Sequence, residues 1–247
     1  MSEQTVPGFV TVRTSSTRLP AKCLLPFGNG NVLEHVIRRA RAFGVEPIVC
    51  TSIDDSDNVI EHIARTEGAR CFRGSLSNKL KRWSDCAAHF DLEVFHTVDA
   101  DDPFFDGEEI RTSMSLLSKV RVDMVCPSLV SSGGGGSVGY SLTSDIVKRA
   151  VSGLHDDADT EMMWYYLEKI PRLRSVVLPN NPLTPSSLRL TLDFEEDYWL
   201  LESIRRMVGN LAPRREIDQL FASNPDLHKV NWFRNVEWKS AQLARKI

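Results

Sequence analysis

The feature that most constrains the fold of this chain is a regular alternation of short apolar runs with longer segments of helical periodicity. Residues 8–13 form an apolar run typical of a strand, whereas residues 32–43 place apolar side chains at helical spacing. This alternation predicts right-handed βαβ units and a mainly parallel sheet with helices on both faces. The predicted strands are 8–13, 47–51, 70–72, 93–98, 123–126, 138–142, 175–178 and 187–192, and the predicted helices are 32–43, 57–67, 78–90, 108–118, 144–151, 159–169 and 195–208.

A sheet of this kind also predicts where a ligand binds, because α/β sheets bind ligands at the carboxyl ends of their strands. The loops after Val12, Thr51, Phe72 and Val98 are therefore expected to share one crevice. The last third of the chain is less regular, and the four consecutive glycines at 133–136 predict a flexible loop. We find no internal repeat and no clear linker, so we expect one domain over residues 1–247.

Composition excludes several classes of partner. The formal net charge of −3 argues against a general electrostatic interaction with nucleic acid. No apolar run approaches the roughly 20 residues that span a bilayer, and the first eight residues lack the pattern of a signal peptide. The five cysteines are widely spaced without a C-x-x-C pair, which indicates reduced thiols. We therefore expect a cytoplasmic protein that binds neither nucleic acid nor membrane.

The loop of residues 13–22, R-T-S-S-T-R-L-P-A-K, joins the first strand to the first long helix and concentrates donor groups. Arg13 and Arg18 can bind phosphate oxygens bidentately, Lys22 can act as a point charge, and Ser16 adds a hydroxyl. Backbone N–H groups of such a loop can complete a phosphate site. Composition alone leaves a solvated polar loop as the alternative.

The order of Arg13, Ser16, Arg18, Leu19-Pro20 and Lys22 resembles the signature loop of the cytidylyltransferases that activate acidic sugars. These include the CMP-sialic acid and CMP-Kdo synthetases, and the best match is the spore-coat polysaccharide branch. The resemblance covers residues 8 to 205 and implies a three-layer, Rossmann-like nucleotidyltransferase fold. Its further motifs are F-R-G-S at 72–75, D-D-P-F-F-D at 101–106 and L-T-L-D-F-E-E-D at 190–197.

The resemblance also implies a Mg²⁺ ion held by Asp101 and Asp193, and one or two carboxylates with phosphate oxygens suit this ion. Asp99 is expected to support that site, and the alternative is that Asp101 and Asp102 cap the helix that follows Pro103. Lys22, Arg13 and Asp101 are the predicted catalytic residues. The predicted nucleotide-binding residues are Arg13, Ser16, Arg18 and Lys22 for the phosphates and Thr51, Ser52, Arg73 and Ser75 for the base, with a surface ion pair as the alternative for Arg73.

The implied reaction is attack by an acceptor oxygen on the α-phosphorus of CTP, with release of pyrophosphate. Such a transfer depends mainly on positioning and on neutralising charge. The implied partners are CTP and a small acidic acceptor, and relatives are often dimers, so we expect a homodimer. The candidates for binding the acceptor are Tyr140, Glu161 and Arg189.

Three alternatives stay open at this point. The acceptor could be a phosphonate, which the sequence does not distinguish from a sugar acid. Asp99-Ala100-Asp101 also fits the D-x-D motif of metal-dependent nucleotide-sugar glycosyltransferases. Finally, Ala21 and Ala100 replace glycines usual in the family, which leaves a non-catalytic binding protein open. Alanine fits both positions if the backbone φ is negative.

Overall fold

The computed structural model describes residues 5–185 and 187–244. The strands in these ranges are β1 (Val6–Thr11), β2 (Pro26–Phe27), β3 (Gly30–Asn31), β4 (Val45–Ser52), β5 (Arg70–Gly74), β6 (Val94–Asp99), β7 (Met124–Cys126), β8 (Ser141–Thr143) and β9 (Ser175–Val177). Strands β2 and β3 pair with each other, and the other seven form one sheet in the order β5-β4-β1-β6-β8-β7-β9.

The centre of this sheet is parallel, as the sequence predicts. Strand β1 lies between β4 and β6 and is parallel to both, and β5 is parallel to β4. Strand β8 runs antiparallel to both of its neighbours, β6 and β7, whereas β9 is parallel to β7. In this register Thr11 is level with Asp99 and with Cys50. The carboxyl ends of β1, β4 and β6 therefore lie on the same side of the sheet.

Helices cover both faces of the sheet and confirm the three-layer α/β fold. They are α1 (Val32–Ala42), α2 (Asn58–Thr66), α3 (Lys79–His89), α4 (Gly107–Val120), α5 (Leu129–Ser132), α6 (Ser144–Val151), α7 (Trp164–Leu167), α8 (Glu195–Val208), α9 (Arg214–Ser223) and α10 (Arg234–Ala244). None of the helices in the described ranges combines the length and the apolar character needed to cross a membrane.

The two faces of β1 show why the layers form. Val10 packs in a cluster with residues of α1 and α2, whereas its neighbour Phe9 packs in a second cluster with residues of α3 and α6. Successive side chains of a strand point to opposite faces, so an apolar strand must be covered on both sides. A third cluster joins Phe104 to α8 and α9 at one end of the molecule.

Two predicted elements differ in the structure. Residues 187–192 do not form a strand, because their alternating leucines pack against α8 and α9. The backbone N–H groups of Leu190 and Leu192 donate to the backbone carbonyls of Gly134 and Asp101, which lie in loops. The helix predicted over 159–169 is reduced to α7. Thr160 lies before it and uses its side chain to bind α3, which keeps this stretch out of a regular helix.

The four-glycine run was expected to be a flexible loop, and the structure instead places residues 134–136 in a buried turn after α5. Gly134 and Gly136 have φ values of +107° and +75°, which only glycine adopts readily. A Cβ atom on Gly136 would lie 3.1 Å from Cβ of Leu190. Backbone conformation and close packing therefore both favour glycine here.

Candidate active site

A cavity of about 630 Å³ opens where β1 and β6 end. Side chains of the loop 13–22, of residues 99–102 at the end of β6 and of the segment 161–164 line it. The loops that follow β4 and β5 were expected to share this crevice, but none of their described residues lines the cavity. The loop after β4 instead holds the loop 13–22 in place through Asp57.

The conformation of the loop 13–22 is set by contacts at both of its ends. The backbone N–H and the hydroxyl of Thr14 each donate to Oδ1 of Asp57 at 2.8 Å. The N–H of Ala21 donates to the carbonyl of Thr14 at 3.3 Å, which closes the loop. The closed loop has a φ of +51° at Ala21, so the condition under which alanine fits easily, a negative φ, is not met there. Ala100 is not among the described residues with positive φ, and at that position alanine fits as expected.

The central feature of the site is the convergence of the loop with two aspartates. The Nζ atom of Lys22 lies 2.7 Å from Oδ2 of Asp101 and 2.8 Å from Oδ1 of Asp193. Arg18 donates to the same oxygen of Asp193 at 2.6 Å. The structure thus brings together the cations and the two carboxylates that the sequence assigned to one site, and their individual roles stay predictions.

Mutual charge stabilisation keeps these groups ionised. Burial by itself lowers the pKa of Lys22, but the adjacent Asp101 and Asp193 outweigh burial and raise it above its ordinary value. Burial by itself raises the pKa of Asp193, but Lys22 and Arg18 lower it to about 2. The site therefore presents a charged lysine beside the charged carboxylate of Asp193 at neutral pH.

Asp102 adds a polar group that no described residue satisfies fully. Its Oδ1 atom is buried and has no hydrogen-bond partner within the described ranges. Burial, followed by the neighbouring Asp101, Asp99 and Asp193, raises the pKa of this carboxyl well above its ordinary value. Asp102 lines the cavity, so a ligand group there has an unused oxygen to contact.

Asp193 owes its position to a fully buried ion pair between Arg189 and Asp197. The Nε and Nη2 atoms of Arg189 donate to the two carboxylate oxygens of Asp197, both at 2.8 Å. Oδ2 of Asp197 also accepts from the backbone N–H groups of Asp193 and Phe194. Arg189 is completely buried and does not line the cavity. The prediction that it contacts the acceptor is therefore wrong, because its guanidinium is used in positioning Asp193.

Arg13 and Glu161 form a second ionic group in the cavity. Arg13 pairs with Glu161 at 2.7 Å and donates to the carbonyl of Leu76. Glu161 also faces Lys79, whose Nζ atom lies 3.7 Å from Oε1 of Glu161 and 3.3 Å from Oδ1 of Asp99. The predicted acceptor residue Glu161 thus lies in the cavity, in contact with cations.

The sequence motifs did not identify Lys79 as a cavity residue. Lys79 is the first residue of α3 and is almost completely buried. A lysine in the first helical turn is electrostatically unfavourable, because the helix dipole places positive charge there. This unusual position was the signal in the sequence that could have identified Lys79. The structure explains the position, because the carboxylates of Asp99 and Glu161 lie close to the lysine.

The predicted base pocket is not formed as expected. The hydroxyls of Thr51 and Ser52 are buried and both donate to Oδ2 of Asp57. The prediction that they contact the base is therefore wrong, because Asp57 satisfies them. None of the four predicted base residues lines the cavity.

The other two predicted base residues are held by neighbouring segments. Arg73 pairs with Glu61 at 3.0 Å and donates to the carbonyls of Ser52 and Asp54, as its ion-pairing alternative predicts. Ser75 donates to the carbonyl of Asp156.

Tyr140 and Ser16 line the cavity as their predicted roles require. The backbone of Tyr140 bonds to Thr97 of β6, where the N–H of Thr97 donates to the tyrosine carbonyl at 2.8 Å. The preceding Gly139 has a φ of +83°, and a Cβ atom there would overlap the Thr97 carbonyl. Glycine at 139 is therefore needed to bring Tyr140 against β6.

The donor set fits a divalent cation that is shared with a phosphate ligand. A single ammonium nitrogen lies within 2.8 Å of carboxylate oxygens from Asp101 and Asp193, so both can serve one cation. The described residues contain no group of three or more His, Cys, Asp or Glu that could hold a metal alone. Mg²⁺ commonly takes one or two carboxylates and completes its shell with phosphate oxygens and water.

Comparison with known proteins identifies the family of this chain. Residues 8–144, more than half of the chain, match the cytidylyltransferase family. The chain is 27% identical over 231 residues to the spore coat polysaccharide biosynthesis protein SpsF of Bacillus subtilis, with 88% of this chain and 94% of that protein covered.

Two solved structures share the fold. A cytidylyltransferase from Leptospira borgpetersenii superposes with a TM-score of 0.79 at 22% identity, covering 91% of this chain and 97% of that one. A CMP:2-keto-3-deoxy-manno-octonic acid synthetase complexed with CTP gives a TM-score of 0.61 at 12% identity, covering 82% and 99%. The family match favours nucleotidyl transfer over the glycosyltransferase alternative. This chain belongs to the cytidylyltransferase family, and it is a CTP-dependent nucleotidyltransferase.

Proposed function

We propose that this cytidylyltransferase transfers CMP from CTP to a small acidic acceptor, an acidic sugar in the first place, for a surface polysaccharide or glycoconjugate precursor. The observation that carries the proposal is the convergence of Lys22 with Asp101 and Asp193 in the cavity. The names of two similar proteins support it, since one belongs to spore coat polysaccharide biosynthesis and the other is a CMP:2-keto-3-deoxy-manno-octonic acid synthetase.

The ion pairs of the loop 13–22 explain how a triphosphate is accommodated. Arg13 pairs with Glu161, Arg18 with Asp193, and Lys22 with Asp101 and Asp193. A triphosphate carries more negative charge than any of these carboxylates, so the cations can turn to its oxygens. The aspartates then need a new positive partner.

Asp101 and Asp193 would hold Mg²⁺ as that partner. The bound ion would neutralise charge on the phosphates during transfer. Lys22 would hold the phosphate oxygens next to the reacting phosphorus, and Arg13 and Arg18 would orient the β- and γ-phosphates. Arg189 and Asp197 would keep Asp193 in register from behind. Fixed charges of this kind stabilise a transition state without reorganising.

The reaction balances without a further reactant. An oxygen of the acceptor forms a bond to the α-phosphorus of CTP. The bond between that phosphorus and the oxygen that bridges the α- and β-phosphates breaks. The electron pair leaves with pyrophosphate, and the proton of an attacking hydroxyl passes to water.

A pyrophosphate-release screen tests the proposal. ATP, CTP, GTP and UTP are each incubated with a panel of acidic sugars and phosphonates, with Mg²⁺ or with EDTA. We expect release from CTP alone, and only with Mg²⁺ and an acceptor. Equal release of pyrophosphate from a purine triphosphate would contradict the proposal. Release of free nucleotide from a CMP-sugar, by a protein that releases no pyrophosphate from CTP, would also contradict it. The expected homodimer stays a prediction that light scattering of the purified protein checks.

A further inference from the structure

Tyr140, Trp164 and Glu168 are among the side chains that line the cavity and take no part in the ionic site described above. Trp164 and Glu168 are the first residue and the C-terminal cap of α7. Residues four apart on a helical turn lie on the same side of it, so both reach the cavity from one element. Tyr140 comes from the segment that enters β8 beside β6.

Glu168 is an uncompensated charge in this group. Asp99, Asp101, Glu161 and Asp193 each pair with a lysine or an arginine. Glu168 is exposed, and among the described residues its carboxylate has neither an ion pair nor a side-chain hydrogen bond. A carboxylate that lines a cavity without a cation is available to a positively charged ligand group.

Tyr140 provides an independent observation at the same place. Its hydroxyl makes no hydrogen bond with a side chain or backbone group of the described residues, although the side chain is half-buried. Burial raises the pKa of Tyr140, and the nearby Cys126, Asp99 and Glu168 raise it further, so the phenol stays neutral. Burial raises the pKa of the Cys126 thiol, and Glu168 raises it further. Tyr140, Cys126 and Trp164 pack against the same hydrophobic cluster, and Glu168 lines the cavity with them.

A carboxylate beside aromatic rings is a favourable environment for a cationic nitrogen. A cation over the face of Trp or Tyr is attracted by the ring quadrupole, more strongly where water is excluded. The same surroundings repel an acid group. The cationic side chains that line the cavity belong to the loop 13–22 and to α3: Arg13, Arg18, Lys22, Lys79 and Arg82.

We infer that the acceptor is zwitterionic and carries an ammonium group that binds between Tyr140, Trp164 and Glu168. Its acid group stays with the cations of the loop 13–22 and of α3. The inference rests on the proposed function and narrows the acceptor from any small acid to acids that bear an amino group. Aminoalkyl phosphonates and amino-substituted sugar acids share this chemistry.

Paired acceptors test the inference and distinguish the two sources. The first pair is 2-aminoethylphosphonate and propylphosphonate, in which a methyl group replaces the ammonium. The second pair is a 3-deoxy-octulosonic acid with an 8-amino group and its 8-hydroxy counterpart. In at least one pair we expect kcat/KM with CTP to be about ten-fold higher for the amino member, the factor that 1.4 kcal/mol produces.

The variant Glu168→Gln keeps the size of the side chain and removes its charge. We expect it to reduce the preference to about three-fold or less by raising KM for the amino member alone. Glu216→Gln, at an exposed position of α9, is the matched control and leaves both members unchanged. Trp164→Phe keeps a ring and is expected to retain part of the preference.

Two results overturn the inference while the proposed function stands: turnover of the neutral members at an equal or higher rate, and an equal effect of Glu168→Gln on both members. Failure of CTP with every acceptor overturns the proposed function instead. In that case, calorimetry with 2-aminoethylphosphonate and propylphosphonate, in the presence of CTP, tests the ammonium site by binding alone. Equal binding of the two probes refutes the ammonium site, and tighter binding of the amino probe that Glu168→Gln abolishes supports it.

Discussion

The Nζ atom of Lys22 lies 2.8 Å from Oδ1 of Asp193, a residue 171 positions later in the chain. Lys22 ends the loop that follows β1, and Asp193 precedes α8, where Asp197 holds its backbone. The side chains are only 15% and 3% exposed. Lys22 and Asp193 therefore each depend on the charge of the other to stay ionised in a partly desolvated cavity.

Lys22→Ala is expected to lower the rate of pyrophosphate release from CTP by about 100-fold or more, because it removes a fixed donor to the reacting phosphates. Steady-state kinetics measure the loss, and circular dichroism verifies that the variant is folded. Lys119→Ala, at an exposed position of α4, serves as the control and keeps the normal rate. A near-normal rate for the Lys22 variant would remove this residue from the mechanism.

Asp101→Asn and Asp193→Asn are expected to raise the Mg²⁺ concentration for half-maximal activity by about ten-fold or more, since each removes a charged ligand from a two-carboxylate site. A Mg²⁺ titration of pyrophosphate release provides the measurement. Asp85→Asn on α3 carries the same substitution outside the cavity and is expected to behave as the unmodified protein. An unchanged Mg²⁺ requirement in both site variants would show that the ion binds elsewhere.

Ala21→Gly is expected to increase the free energy of unfolding by about 0.5–1 kcal/mol. Relief of the left-handed conformation gains about 1–2 kcal/mol, and the greater freedom of glycine in the unfolded chain offsets part of it. Ala100→Gly is the matched control, because Ala100 lacks a positive φ, and it is expected to destabilise the protein. Urea unfolding compares the two, and equal effects would show that the φ of +51° at Ala21 carries no cost.

Arg189→Met is expected to act on stability and not on the acceptor. Removing one partner of a buried ion pair costs about 3–5 kcal/mol, because the other charge is left without compensation. Asp197 still accepts two backbone hydrogen bonds, so the double variant with Asp197→Leu is not expected to restore full stability. Denaturant unfolding measures the loss. A raised KM for the acceptor with unchanged stability would return Arg189 to the acceptor site.

Two buried histidines are expected to make the protein acid-sensitive. Burial lowers the pKa of His35 and of His96 from 6.5 to about 4. The unfolded chain therefore binds protons between pH 6.5 and pH 4 that the folded chain does not. Their contribution to stability is complete above pH 6.5 and falls towards pH 4, by about 3 kcal/mol for each histidine.

Urea unfolding between pH 7.5 and pH 4.5 checks this slope. His35 lies against the rings of Phe27 and Phe104, so His35→Phe keeps an aromatic ring there and removes one titrating group. Its stability is expected to fall less steeply with acid than that of the unmodified protein. His62→Phe, at an exposed position of α2, is expected to keep the original slope. Identical slopes for all three proteins would contradict the assignment.

Local periodicity was sufficient to predict most of the fold. Helix α8 has the predicted bounds of 195–208, and α1 and β1 differ from their predictions by one or two residues. These elements are specified by the spacing of apolar side chains, which is a property of neighbouring residues alone. The order of charged residues in the loop 13–22 was likewise readable, because a phosphate loop is a short continuous segment.

Tertiary structure decided what each polar side chain does. The sequence suggested that the side chains of Thr51, Ser52 and Arg189 could contact a ligand. In the folded chain Asp57 accepts from Thr51 and Ser52, and Asp197 pairs with Arg189. The backbone of Ala21 is left-handed because a loop closure demands it, and the leucines of 187–192 meet helices where a strand was expected. Hydrogen-bond and ion-pair partners are chosen by proximity in the folded chain. Periodicity says which face of an element is buried, but it carries no information about the distant polar group that will lie opposite.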